Sequence, residues 1–582
     1  FPTLAIALLG GLLGTMFTIA LRRLFIVEEA LPYPEGVACR EVLVAGEEGG
    51  TGALAIVYAL GIGALYGLMV KGFKITHDKT TTAIEIFKTR IFAGMDLSIA
   101  LLAVGFIVGI RIASYIFLGG IIGFVVLVPL VGFLNGWPQS GSLAGGFDSL
   151  WYEQIRYVGV GAMVVGGVYT LWSMRKTIIT GLKKSFVQSD LDGEFHLRTE
   201  KDLPMKWVTM VCGILVILTF FFYWYITGSL VLSLAGALFL ALVSFFFAAV
   251  AGYIAGVVGS SNSPVSGMTI ATLLFTVGLV WIVGSYFLGL GQQDLMYATL
   301  LIAAVVASSA AIAGDVMQDL KTGHMVGATP WRQQIAEIIG VVTGAFVIGP
   351  TISLLHDAFQ ITSTACIATN ERITAAEGID SPNLYECSNA LYAPQAELIG
   401  AIIKGAFVGD MNLPMVFLGA ALACVLIRLA MPVMSVAIGI YLPLTLSAPI
   451  MLGGILSSLA IGSAYLRVDG TLDRKPSKEA KKAAYEVESR GVLIGAGFIA
   501  GESILGVFVA ILIVLGIKLE KEFGITKLPP SLSLLFFAWF IGVFMWLATR
   551  TLPNGRNLLK DIAATANHAL KKFVRSFIPN SK

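Results

Sequence analysis

The chain has 582 residues, of which 57% are hydrophobic and 13% charged, with a net charge of +3 and a mean hydropathy of +0.85. Soluble domains carry about 25% charged residues, so a chain with half that fraction cannot hide its apolar side chains in one water-soluble core and must face lipid. The small positive balance is spread through loops and implies no nucleic-acid partner, and the five scattered cysteines form no metal signature.

Sixteen hydrophobic segments follow one another near 4–21, 53–71, 95–111, 113–134, 155–172, 207–227, 229–257, 264–290, 297–314, 335–355, 396–409, 413–430, 432–445, 447–466, 491–517 and 532–549. A spanning helix needs roughly 20 apolar residues, which predicts an all-α polytopic membrane protein. The first run starts at Phe1 without an initiator Met and is too long for a signal-peptide core. The natural N-terminus is therefore expected upstream. The short segments 396–409 and 432–445 read as half-helices or re-entrant pieces, which survive at membrane depth only beside protein or a water-filled cavity.

Lysine and arginine set the orientation. The tail from Arg550 holds seven basic residues against Asp561 and is expected in the cytoplasm. The loop 356–394 holds Arg372 against five acidic residues and is expected outside. It contains Cys366 and Cys387, which suit either a disulfide in an oxidising compartment or two free thiols. Loops 173–206 and 467–490 then fall inside. Six segments between the outside loop and the inside tail are one too many or too few, so at least one does not span.

An internal repeat runs at an offset of 334. Leu118-Gly119-Gly120-Ile121 meets Leu452-Gly453-Gly454-Ile455, Arg156 meets Arg490, and Gly161-Ala162 meets Gly495-Ala496. Gly67, Lys71 and Gly72 resemble Gly400, Lys404 and Gly405 at an offset of 333. Segments 155–172 and 491–517 carry their basic loops on opposite flanks, so the copies are expected to run in opposite directions, as in secondary transporters. The expected organisation is a single transmembrane domain over 1–582. Repeat A covers about 1–227, intervening helices 229–314, repeat B 335–549, and the basic tail 550–582.

Two polar clusters stand out. In Gly314-Asp315-Val316-Met317-Gln318-Asp319-Leu320-Lys321-Thr322-Gly323, Asp315 and Asp319 share a helix face with Gln318 beside them. Such a pair can bind a cation or hold a proton. The same residues also suit a helix end at the cytoplasmic surface, with Lys321 facing headgroups. In Leu31-Pro32-Tyr33-Pro34-Glu35-Gly36-Val37-Ala38-Cys39-Arg40-Glu41, the two prolines and the glycine are expected to break any helix. That leaves Glu35, Arg40 and Glu41 at a functional break or in an interfacial loop.

Other candidates lie in apolar runs. Glu502 is a carboxylate inside a span and a proton-relay candidate, or else a charge paired within the bundle. Arg111 and Lys404 suit a substrate carboxylate, although Arg111 equally suits a helix end. Asn262-Ser263-Pro264, Tyr441-Leu442-Pro443 and Pro394-Gln395 are breaks whose backbone is open to a substrate, or simply turns. The five histidines are dispersed without metal-ligand spacing, no P-loop occurs, and no protease pair lies within a span. No cofactor is expected.

At these residues the sequence resembles the oligopeptide transporter (OPT) family. Pro32-Tyr33-Pro34-Glu35-Gly36-Val37-Ala38-Cys39 with Glu41-Val42-Leu43 is similar to one family motif. Gly314-Asp315-Val316-Met317-Gln318-Asp319-Leu320-Lys321-Thr322-Gly323 resembles a motif of the yellow-stripe-like branch. The residues around Asn262, Gln395 and Glu502 also resemble family patterns, and the likeness is closest to prokaryotic members. The resemblance implies a sixteen-helix secondary transporter of oligopeptides or metal chelates such as phytosiderophore or nicotianamine complexes, commonly proton-coupled.

The sequence thus predicts alternating access in a prokaryotic cytoplasmic membrane. The substrate is expected near Asn262, Tyr441 and Pro394, and the proton on Glu502 or the Asp315/Asp319 pair. Bound partners would be lipid, protons and a peptide or chelate, with a homodimer plausible. A passive channel and an intramembrane enzyme are the alternatives.

Overall fold

The computed structural model describes all residues except 1, 48–50, 87–88, 139–142, 174–196, 259, 261–264, 378–386, 388–389, 392, 410–411, 473–475, 518, 520–527, 551, 553–559, 562 and 568–582. The described chain is almost wholly helical. Its helices are α1 (Pro2–Arg22), α2 (Pro34–Glu47), α3 (Thr51–Gly67), α4 (Ile99–Gly120), α5 (Val128–Asn135), α6 (Leu143–Leu150) and α7 (Arg156–Ser173). They continue with α8 (Met205–Thr227), α9 (Leu230–Val258), α10 (Val265–Val280), α11 (Gln292–Met325), α12 (Pro330–Phe359), α13 (Ser363–Glu377) and α14 (Pro394–Phe407). The last five are α15 (Leu413–Arg428), α16 (Val433–Tyr441), α17 (Leu444–Asp469), α18 (Lys478–Val514) and α19 (Pro530–Thr549). Among the described residues, eleven helices are long and apolar enough to cross a membrane. The protein is a multi-pass integral membrane protein.

The chain divides into two compact units, one of Phe1–Val44 and Gly161–Cys424, the other of Ala45–Val160 and Val425–Lys582. In the first, α1, α9 and α11 pack around Leu13, Leu240, Val305 and Val306. Thr15 and Thr18 in α1, Thr219 in α8, Thr272 in α10 and Thr299 in α11 return their hydroxyls to the carbonyl four residues back. Each buried hydroxyl is thus satisfied without a partner helix. In the second unit, α3, α4, α17, α18 and α19 surround Ile99, Leu102, Phe498, Phe540 and Phe544.

Three local features differ from expectation. The predicted segments 95–111 and 113–134 are one 37-residue span, Ile99–Asn135. It is interrupted only at Gly109, whose φ of 75° and ψ of 167° no helix contains. Hydropathy runs evenly across that break, so the sequence cut fell at Arg111 instead. The stretch before it is a hairpin, β1 (Lys79–Ile86) and β2 (Thr89–Asp96), paired antiparallel with Lys79 opposite Asp96, where no strand was foreseen. Finally, the helix break expected near residue 34 lies at 29–33 and includes Pro32, but neither Pro34 nor Gly36 is part of it. Pro34 opens α2, because a first-turn residue needs no amide hydrogen, and Gly36 follows within it. The predicted short segments are short: α14 has 14 residues and α16 has 9.

Candidate functional site

The two motifs, about 280 residues apart in sequence, form one site in the first unit. Tyr33 donates its amide to the Gly256 carbonyl at 2.8 Å and its hydroxyl to the Gly252 carbonyl at 3.0 Å. These bonds fix the entry to α2 against α9. The Gly36 amide then donates to Gln318 Oε1 at 2.8 Å, while Gln318 Nε2 donates to the Ala255 carbonyl at 2.9 Å. Thr322 Oγ1 returns to the Gly36 carbonyl at 3.0 Å. A side chain at Gly36 would press on the Gln318 carbonyl oxygen, so only glycine lets α2 and α11 approach this closely. Gln318 and Thr322 are buried. Their polar atoms are paired, as burial demands.

The carboxylates surround this lock. Ser260 donates its amide to Glu35 Oε2 at 2.7 Å and its hydroxyl to Asp315 Oδ1. One serine therefore bridges acids from both motifs. Asp319 lies one turn beyond Asp315 on the exposed side of α11, and the two carboxylates repel one another. Cys39 on α2 faces them: burial first, then the charges of Asp319 and Glu35, pushes its thiol up. Lys321 is partly exposed one turn from the helix end. Arg40 is partly buried, and Glu41 lies on α2.

Glu502 is elsewhere, buried in the second unit. Its Oε1 lies 3.1 Å from Lys71 Nζ, and its Oε2 accepts from the Ala100 amide at 3.0 Å. Ser98 Oγ reaches both oxygens at 3.3 Å, while itself capping α4 through the Leu101 amide. The carboxylate thus sits at the N-terminus of α4, where the helix dipole and the free amides favour negative charge. Lys71, which the sequence marks only as part of the repeat, supplies the counter-charge. Tyr441 is buried, with Gly159 packed on its Cβ, and Arg111 is exposed just past the Gly109 break. Lys404 is exposed in the last turn of α14, and Gln395 lies in its first turn. Asn262 falls outside the described residues, as does most of the basic tail. Cys366 and Cys387 are joined in a disulfide.

Sequence reasoning missed two groups in the first unit. Arg22, fully buried, forms a two-pronged contact with Asp202 at 2.9 and 3.0 Å, and Gln334 donates to the same carboxylate at 2.6 Å. Glu337, on α12, has both carboxyl oxygens buried without a hydrogen-bond partner among the described residues. A charge inside a predicted span was the available signal for Glu337, but its place near the segment edge hid it.

The family model described as OPT oligopeptide transporter protein matches residues 1–513. A Haemophilus influenzae protein named for oligopeptide transport is 31% identical over 563 residues, 92% of this chain and 84% of that protein. The metal-nicotianamine transporter YSL1 of Arabidopsis thaliana is 22% identical over 87% of this chain and 72% of its own length. The iron-phytosiderophore transporter YSL15 of Oryza sativa subsp. japonica is 28% identical over 133 residues, 22% of this chain and 20% of that protein. No solved structure matches.

Proposed function

We propose that this chain, which belongs to the OPT oligopeptide transporter family, is a proton-coupled secondary transporter of small peptides or metal chelates that works by alternating access. One observation carries the alternating-access part: the crossing of α4 with α16 and α17 in the second unit. At the offset of 334, Ile99, the first residue of α4, corresponds to Val433, the first of α16. Gly109, where α4 breaks, corresponds to Pro443, where α16 gives way to α17. A Cβ on Gly105 would strike the Ile450 carbonyl, and one on Gly439 would strike that of Ile116. A Cβ on Gly453 would strike the Leu102 carbonyl, and one on Gly119 that of Val436.

Exchanging the two copies turns the first contact into the second and the third into the fourth. A contact set unchanged by that exchange is what a two-fold axis produces. Sequence numbers rise along one helix as they fall along the other, so the helices are antiparallel. A two-fold relating antiparallel helices lies across them, in the membrane plane, which is the inverted arrangement of secondary transporters. Paired breaks at matching depth add unwound backbone of the kind found where spans line a path.

The substrate class rests on the names of the relatives, which cover both peptides and metal chelates. Protons are assigned to carboxyl groups of the first unit, at the motif lock or packed near it, rather than to Glu502, because Glu502 already has a cation and an amide to hold its charge. The bacterial relative supports a cytoplasmic membrane, and the disulfide supports an outward-facing loop 356–394. The test is uptake into proteoliposomes under an imposed pH gradient, comparing tripeptides with ferric and nickel nicotianamine. Accumulation that collapses with a protonophore, together with counterflow, supports the proposal. Uptake that neither saturates nor shows counterflow would establish a channel.

A further inference from the structure

We infer that Glu337 is the residue that carries the transported proton; the inference rests on the proton-coupled reading above. Glu337 lies seven residues past Pro330, the first residue of α12, about 10 Å along the helix. It belongs to the span Pro330–Phe359, and its two oxygens each expose less than 1 Å². The nearby amides are committed elsewhere: Gln333 Nε2 donates to the Asp319 carbonyl at 2.5 Å, and Gln334 Nε2 to Asp202.

α12 packs on α1 and α11. At this end α1 carries Arg22, held by Asp202, and is followed by Arg23, which pairs with Glu28 at 3.6 Å. The facing stretch of α11 carries Asp315, Asp319, Lys321 and His324. Among these described groups, Asp319 is the one that acts electrostatically on Glu337, and it is negative. Among the described residues, no cation offsets a charge on Glu337. An ionised carboxylate stripped of water and donors costs far more than a neutral acid, so this conformation holds Glu337 with its proton on.

Release then needs water at the carboxyl. The O–H bond breaks, the electron pair stays on the carboxylate, and the proton passes to water on one side. Rebinding takes a proton from the other side, so one proton crosses per cycle and none is consumed. Asp319 and Asp315, in that order, lead from Glu337 to Ser260, giving a row of carboxyls along which the proton can travel between conformations. Neither motif contains Glu337. Its assignment comes from burial and from the absence of donors among the described residues.

The test uses the full-length protein in proteoliposomes, with a tripeptide and ferric nicotianamine as probes. A gradient of one pH unit drives about tenfold accumulation per coupled proton. Glu337→Gln, which keeps the shape of the neutral acid, is expected to lose that accumulation while keeping counterflow, and its counterflow is expected to lose its pH dependence. Dicyclohexylcarbodiimide, which attacks protonated buried carboxyls, is expected to label Glu337 in the wild type less as pH rises. Gradient-driven accumulation by Glu337→Gln, or a wild-type Glu337 unlabelled at every pH, overturns the inference. A wild type that exchanges substrate but ignores the gradient overturns the proton-coupled reading itself. Glu337→Asp keeps the carboxyl, and its failure to restore accumulation to a folded, exchanging protein would also count against the role.

Discussion

Alanine at Gly105, Gly119, Gly439 or Gly453 tests the inverted crossing through its energetics. In an open helix, Gly→Ala stabilises by about 0.8–1.0 kcal/mol through propensity. Here each new methyl meets a backbone carbonyl rather than a side chain that could change rotamer. The helices must separate, and overpacking of this kind costs about 1–3 kcal/mol. The expected net is a loss of up to about 2 kcal/mol at each position. The two-fold relation makes a sharper demand: Gly105→Ala must match Gly439→Ala, and Gly119→Ala must match Gly453→Ala. Gly105 and Gly453 share one crossing point, so their double variant should be non-additive. Gly213→Ala and Gly278→Ala, with nothing within 4 Å of the new Cβ, serve as controls expected to be neutral or stabilising. The assay is thermal unfolding of the full-length protein in detergent, followed by counterflow. Matched positions that differ by more than the controls scatter would refute the two-fold reading of the crossing.

Gln318→Leu leaves the Gly36 amide and the Ala255 carbonyl without partners, at about 1–3 kcal/mol each; a melting temperature equal to wild type would show that the motif lock bears no load. Glu502→Gln should destabilise by about 1–2 kcal/mol. The helix terminus supplies most of this, because Lys71 is 41% exposed and screened. Gradient-driven accumulation should persist in this variant; its loss with intact folding would return the coupling role to Glu502. In the hairpin, burial first and Asp78 further push Asp96 up to about 6, against the lowering effects of Lys79 and a bond from Thr445. The folded state therefore binds more protons than the unfolded one between the ordinary value of 3.8 and about 6. Stability falls as pH rises through that window, by up to about 3 kcal/mol. Asp96→Asn should flatten the dependence and raise the melting temperature at neutral pH.

Fold class was legible because spanning helices are apolar almost throughout, and a run such as 229–257 needs no partner to be recognised. The hairpin was not, because Thr80, Thr81, Thr82, Ile84 and Ile91 are β-branched residues in two short strands, lying between two stronger apolar signals and without clear alternation. The Gly109 break was invisible to hydropathy for a different reason: its immediate neighbours Val108 and Ile110 are both apolar, the polar signal falls at Arg111, and only a backbone angle marks the break. The repeat was readable as a constant offset, but contact between the copies was not, since an offset says nothing about which faces meet. Glu337 shows the converse. One carboxyl at a segment edge reads as interfacial until burial of both oxygens is known.

The motif site explains why the most recognisable residues say least about substrate. Gly36 is glycine because Gln318's backbone lies against it, Gln318 is an amide because it must both accept from Gly36 and donate to Ala255, and Thr322 closes the same ring. These requirements are internal to the fold. They are met equally well whether the cargo is a peptide or a chelate, so a sequence that carries them declares its architecture and leaves its substrate open. Lys404 and Arg111, both exposed and neither in a motif, are among the groups that the lock leaves unused. A substitution that changes substrate preference without changing thermal stability is therefore expected at those positions and not at Gly36, Gln318 or Thr322.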